Sequence, residues 1–192
     1  MKVNKKRFLE KNDMALKNWW QVCTPHEDIL EGRFDQSVFA ADLGDVINGK
    51  GPKDYQDAVL FYEKTYVTAG LQELISAVVD CISGSGKGQS VIQLQTSFGG
   101  GKTHSLLSLY HIVKNYDKLK HMQIVKNLVG TAGVKKINDV KVAGFVGTHA
   151  DPLKGRTPWG EIGHQLGVYD IVKEHDEGRI ATGKEVLSKM LD

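Results

Sequence analysis

Among the 192 residues of this chain, the group best placed to do chemistry is Thr96, Ser97, Phe98, Gly99, Gly100, Gly101, Lys102 and Thr103. A run of small residues lets backbone N–H groups converge on an anion, because glycine tolerates the dihedral angles that this needs. A helix starting just after the run adds the positive end of its dipole. A lysine reaches the β- and γ-phosphates of a nucleotide, and a threonine hydroxyl ligates Mg²⁺. The pattern for such a loop is G-x-x-x-x-G-K-[ST]. Gly101, Lys102 and Thr103 fit its end, while Thr96 stands where the first glycine would be. That glycine relieves crowding as a strand turns into the loop, and three consecutive glycines compensate for its loss.

The expected ligand is therefore the triphosphate of a nucleotide, ATP with Mg²⁺. Lys102 would hold the phosphates, Thr103 the metal, and the backbone from Phe98 to Gly101 the β-phosphate. His104, in the first turn of the following helix, is either a nucleotide contact or a packing residue. The competing reading of the whole motif is a glycine turn with an unrelated Lys-Thr after it.

Other groups were weighed in the same way. Ser85-Gly86-Lys87-Gly88 also resembles part of a phosphate loop. It follows a helical pattern, not a strand, and Gly88 offers no hydroxyl, so it reads as a surface turn. Cys23 and His26 have metal-ligand spacing, but no second pair completes a site. Gly147-Thr148-His149-Ala150-Asp151 follows a predicted strand, where ligands sit in open α/β sheets. Trp19, Trp20 and Trp159 read as core or interface residues.

The elements that must position the loop follow from periodicity. Leu71, Leu74, Ile75, Val78, Val79 and Ile82 recur at steps of three and four, which predicts an amphipathic helix. Thr68 or Gly70 opens it and Ser83 to Gly88 ends it. Ser90 to Gln95 reads as a strand, Thr96 to Gly101 as the loop, and Thr103 to Val113 as a helix packed deep against a sheet. A second helix is expected over Lys118 to Val129, and a buried strand over Lys141 to Val146. Thr157-Pro158 starts a helix whose buried face is Ile162 and Leu166. Thr182-Gly183-Lys184-Glu185 is a capping box before a last helix. Residues from Cys23 to Gly51 are broken by Pro25 and four glycines into short pieces.

Composition narrows the class. The chain is 41% hydrophobic and 25% charged, which suits a globular domain with a real core. A formal net charge of +2 gives no bulk electrostatic case for nucleic acid or membrane binding. The lysines from Lys114 to Lys126 read as a solvated helix face. Two cysteines are too few for a disulfide scaffold. No signal-peptide pattern or run of about 20 apolar residues occurs, so a cytoplasmic setting is expected.

Several stretches resemble the domain-of-unknown-function family 499. They include Val91 to His104, Cys23 to Ile29, Phe39 to Leu43, Gly51 to Tyr55, Thr65 to Leu71 and Pro158 to Gly167. The resemblance implies a large AAA-like P-loop ATPase of bacteria and archaea, linked to antiphage defence islands, in which a loop with Thr96 and three glycines is usual. It also implies a longer protein whose Walker B carboxylates lie after Asp192. Asp80, Asp151 and Asp170 do not follow a suitable strand and make poor substitutes. Without that pair Mg²⁺ is weakly held and no base positions water. The chain is thus expected to bind nucleotide and to hydrolyse it poorly.

The fold expected is a three-layer α/β P-loop core with a mostly parallel sheet over residues 70–192, preceded by a helical and irregular segment over 1–69. The partners expected are nucleotide, further copies of the chain or defence-system proteins, and nucleic acid only through a larger assembly. Two rivals remain open. One is a non-catalytic scaffold with an empty or phosphate-only loop. The other is a small-molecule kinase, which would need an arginine-bearing lid that Arg7, Arg33, Arg156 and Arg179 do not form.

Overall fold

The computed structural model describes residues 17–25, 27–32, 41–83, 90–97, 99–130, 137, 140–151 and 153–191. It divides into two compact units, Met1–Ser37 and Val38–Asp192. In the first unit, helix α1 spans Trp19–Val22 and α2 spans Glu27–Leu30. Trp19 and Trp20 meet edge to face at 5.7 Å and both are exposed. His26 and the Ser85–Gly88 turn lie outside the described residues, and Cys23 and Cys81 are free thiols.

The second unit begins with three short helices: α3 (Leu43–Ile47), α4 (Lys53–Gln56) and α5 (Ala58–Glu63). Each of α3 and α5 starts at an aspartate whose carboxylate accepts from the first free N–H groups. Asp42 accepts from Gly44 and Asp45, and Asp57 from Val59 and Leu60. Such caps satisfy donors that have no partner within the helix. Helix α6 (Ala69–Ser83) follows, with the Thr68 hydroxyl accepting from the Leu71 N–H at 3.2 Å. Its predicted stripe is the buried one: Leu71, Leu74, Ile75 and Val79 are buried, and Val78 and Ile82 half-buried.

Helix α7 (Lys102–Leu119) is the spine of the unit. It buries Leu107, Ser108, His111, Ile112, Tyr116 and Leu119, while Leu106 is 42% exposed. The pattern is one buried face, not the all-round burial expected of a helix under a sheet. Helix α8 (Gln123–Val129) is separated from α7 by a turn at Lys120 to Met122, so the predicted helix over 118–129 is two pieces. Helices α5, α6, α7 and α8 share one core, in which Phe61, Tyr62, Ile75, Leu107, Leu119 and Val125 are almost wholly buried.

A second, smaller cluster is formed by α9 (Pro158–Leu166), α10 (Tyr169–Glu177) and α11 (Lys184–Leu191). Ile162 and Leu166 of α9 are half-buried; its buried residues are Gly160 and Gly163. A Cβ on Gly160 would overlap the Asp176 carboxylate, and one on Gly163 would lie 2.7 Å from Val172 Cγ2. The close crossing of α9 and α10 therefore needs both glycines. Helix α11 forms as expected, although the Thr182 hydroxyl makes no cap bond.

The expected three-layer α/β core with a mostly parallel sheet does not form. Among the described residues there is no strand and no sheet; helices pack directly on helices. The two segments predicted as strands carry the apolar, β-branched composition of strands, but a strand exists only when a neighbour completes its ladder. Ser90 to Ser97 has no regular structure, and Val91 is 82% exposed. Lys141 to Val146 is half-buried for most of its length. In it, the Gly144 N–H donates to Gln165 Oε1 and the Gly144 carbonyl accepts from Gln165 Nε2, both at 2.9 Å. One side-chain amide thus supplies the two bonds that a neighbouring strand would have made.

Candidate functional site

The loop before α7 is built by its glycines. Gly99 and Gly101 have φ of 79° and 75°, the left-handed region where a side chain is strained. Gly100 closes a tight turn, its N–H donating to the Ser97 carbonyl at 3.1 Å. A Cβ on Gly100 would overlap both Oγ1 and Cβ of Thr96. Thr96, which replaces the usual first glycine, thus occupies the space that Gly100 leaves open. Phe98 lies outside the described residues.

Lys102 is exposed, and its ammonium folds back over the loop. Nζ donates to the Thr96 carbonyl at 3.1 Å, to Thr96 Oγ1 at 3.1 Å and to the Ser97 carbonyl at 3.2 Å. An ammonium has three donors, so all three are matched. Behind it, α7 begins at Gly101, which offers no side chain to cap the first N–H groups. Loop glycines, a lysine and an uncapped 18-residue helix are thus brought together at one point. Such a point attracts anions. Thr103 is half-buried in the first turn.

His104 faces the other way, into the core. Its ring stacks on Phe61 at 4.6 Å, and Nε2 lies 3.1 Å from Thr65 Oγ1. The Thr65 hydroxyl donates its proton to the Phe61 carbonyl at 2.6 Å. His104 Nε2 must therefore be the donor, which places a proton on that nitrogen. Two turns later, His111 Nε2 donates to the Tyr55 carbonyl at 2.8 Å, and its ring lies 5.1 Å from the same Phe61. Burial lowers the basicity of both histidines. Between them, the Tyr62 hydroxyl meets Ser108 Oγ at 2.6 Å. The face of α7 that carries His104, Ser108 and His111 thus fastens the helix to α5.

Asp80, Asp151 and Asp170 lie on three separate segments. Asp151 Oδ1 accepts from the N–H groups of Leu153 and Lys154 and shapes a turn. Asp80 is half-buried on α6, and Asp170 is exposed in the first turn of α10. A different group was not anticipated. Asp42, Asp45 and His149 each present a ligand atom within 4.8 Å of the others. His149 Nε2 and Asp42 Oδ2 are 2.9 Å apart. Burial opposes ionisation of Asp42, but the Asp45 amide, the His149 ring and the Gly44 amide outweigh it and hold the carboxyl below its usual value. The sequence singles out no role for Asp42 and marks His149 only as part of the segment after a predicted strand. Their meeting across 107 positions is a tertiary fact.

An open groove of about 860 Å³ lies elsewhere in this unit, between α7, α9 and the segment from Val142 to Arg156. None of Thr96 to His104 lines it. Among the described residues, no helix is long and apolar enough to cross a membrane.

Neither the comparison with curated proteins nor that with solved structures returned a match. The model of one family does match, over residues 14–192, and so takes in the loop, the α5–α7 contact and the three C-terminal helices. On that match, the chain belongs to the family described as the DUF499 N-terminal domain.

Proposed function

We propose that this chain binds Mg-ATP at the loop from Thr96 to Thr103. The observation that carries the reading is the ammonium of Lys102, held by Thr96 and Ser97 at the uncapped start of α7. A triphosphate arriving there meets a cation and free helix N–H groups at once, and neither depends on a sheet beneath the loop. Lys102 takes the β- and γ-phosphates, and Thr103 supplies a hydroxyl to Mg²⁺. The backbone of Gly99 to Gly101 lies against the β-phosphate. His104, turned to Phe61 and Thr65, sets the angle of the first turn and does not itself meet the nucleotide.

The finer role, as part of an AAA-like ATPase in antiphage defence, rests on the family resemblance of the loop and its neighbours. Among the described residues no ion pair joins Lys102 to a carboxylate, and the reading is binding with poor hydrolysis. The competing reading is a scaffold whose lysine serves only to tie the loop to itself, as its three internal bonds would allow.

Thermal unfolding separates the two. A ligand that binds only the folded chain stabilises it by about 2.7 kcal/mol at one hundred times its Kd. In a protein of this size that raises the midpoint by roughly 5–10 °C. Mg-ATP is expected to produce such a shift, and Lys102→Ala to remove it. No shift at millimolar Mg-ATP favours the scaffold. Hydrolysis at ordinary ATPase rates, lost in Lys102→Ala, would overturn the expectation of poor turnover.

A further inference from the structure

The groove between α7, α9 and the Val142–Arg156 segment has features that the loop does not explain. Its volume, about 860 Å³, falls in the range of small-molecule sites, a few hundred to about 1,000 Å³. Its carboxylates are already engaged by protein donors. Asp151 Oδ1 holds the N–H groups of Leu153 and Lys154. Glu161 accepts from Gln165 at 2.8 Å and from Arg156 at 3.1 Å. Two of its cations are not engaged: among the described residues no hydrogen bond or ion pair involves the side-chain ammonium of Lys114 or of Lys154. The groove therefore presents unmatched positive charge over neutralised negative charge. One wall is aromatic, from half-buried Tyr110 and Phe145. Tyr110 and Lys114 are four residues apart on α7 and so share a face.

The stretch that carries Lys154 is held in place from several sides. The Gly155 N–H donates to the Asp151 carbonyl at 2.8 Å, and a Cβ on Gly155 would lie 2.7 Å from that oxygen. Arg179 Nη2 donates to the carbonyls of Leu153 at 2.6 Å and Gly155 at 2.9 Å. The Thr157 N–H donates to Asp176 Oδ1 at 2.7 Å. An exposed turn held this firmly fixes the backbone from which Lys154 reaches, which lowers part of the entropic cost of meeting an anion.

We propose that this groove is a second ligand site, for a phosphorylated compound with a planar ring, of about nucleoside-monophosphate size. The phosphate sits between Lys114 and Lys154, and the ring lies against Tyr110 and Phe145. A small ligand fits better than a nucleic-acid strand, because the chain carries a net charge of only +2.

The site is independent of the phosphate loop, and the test keeps them apart. Calorimetric titrations of the full chain carrying Lys102→Ala use AMP, GMP, CMP and UMP in turn. At least one is expected to bind at a single site, and more weakly as salt is raised. Adding Lys114→Ala and Lys154→Ala together should weaken it by about tenfold or more, the effect of losing a charge-assisted hydrogen bond. Both lysines are exposed, so the melting temperature should hold; if it falls, the Lys→Gln pair replaces the alanines. The proposal is overturned if no monophosphate binds at millimolar concentration, if Lys102→Ala abolishes binding, or if the lysine variants bind unchanged. It is equally overturned if a single-stranded oligonucleotide binds more tightly than every monophosphate.

Discussion

Replacing Gly100 by alanine tests the architecture of the loop most directly. The new Cβ would meet two atoms of Thr96. Rotation about χ1 can carry Oγ1 away, but Thr96 Cβ is fixed by its own backbone, and the new atom would sit 2.5 Å from it. The backbone between Thr96 and Gly100 must therefore open. That movement pulls the Thr96 and Ser97 carbonyls, which take two of the three loop bonds, from Lys102 Nζ, and a χ1 rotation of Thr96 removes the third. Overpacking of this kind costs about 1–3 kcal/mol. The loop is exposed, so the cost falls on its binding conformation more than on global stability. Mg-ATP affinity should then drop by roughly 5- to 150-fold. The check is a double-mutant cycle read by titration calorimetry. Thr96→Gly removes both obstructing atoms and also restores the usual first glycine. In that background Gly100→Ala should cost only a few tenths of a kcal/mol, giving a coupling of about 1–3 kcal/mol. Equal losses in both backgrounds would refute the claim that Thr96 and Gly100 share one space.

Three further predictions concern groups inside the fold. Burial holds the folded-state pKa of His104 and His111 below the ordinary value of about 6.5, so between those values the unfolded chain binds more protons. Stability should be constant above about pH 7 and fall as pH drops through 6.5 towards the folded values. Urea midpoints at neutral and mildly acidic pH measure this, and a slope unchanged by a His104→Asn, His111→Asn pair would contradict it. Asp176 Oδ1 accepts from the Thr157 N–H and hydroxyl, and Oδ2 from the Tyr169 hydroxyl. Asp176→Ala should cost about 2–4 kcal/mol by leaving these donors without their acceptor. Gly160→Ala, which would force a Cβ into the same carboxylate, should cost about 1–3 kcal/mol by denaturant unfolding. A neutral Gly160→Ala would mean that α9 and α10 are less closely crossed than the structure has them.

Much of the helical content was legible because it depends on local spacing. The stripe on α6, the start of α9 at Thr157-Pro158 and the existence of α11 all follow from periodicity and capping residues close in sequence. Helix α10 is not legible in the same way, because its start at Val168 has no side-chain cap to mark it. The strands were misread for a related reason. Val91-Ile92 and Val142 to Val146 have strand composition, but composition says nothing about whether a neighbour lies alongside.

The amino-acid sequence by itself determined where the loop falls, which residues it contains and that a long helix begins at its end. Those features arise within a few residues: glycines with positive φ, a lysine next to them and a helix with no cap of its own. Only the tertiary structure decided what surrounds them. It turned His104 toward Phe61 and Thr65, filled the space over Gly100 with Thr96, and joined Asp42 to His149. It also replaced the expected sheet by helices packed on helices, with the amide of Gln165 in the place of a strand. Backbone pairing and side-chain direction depend on atoms distant in sequence, so no local pattern could have settled them.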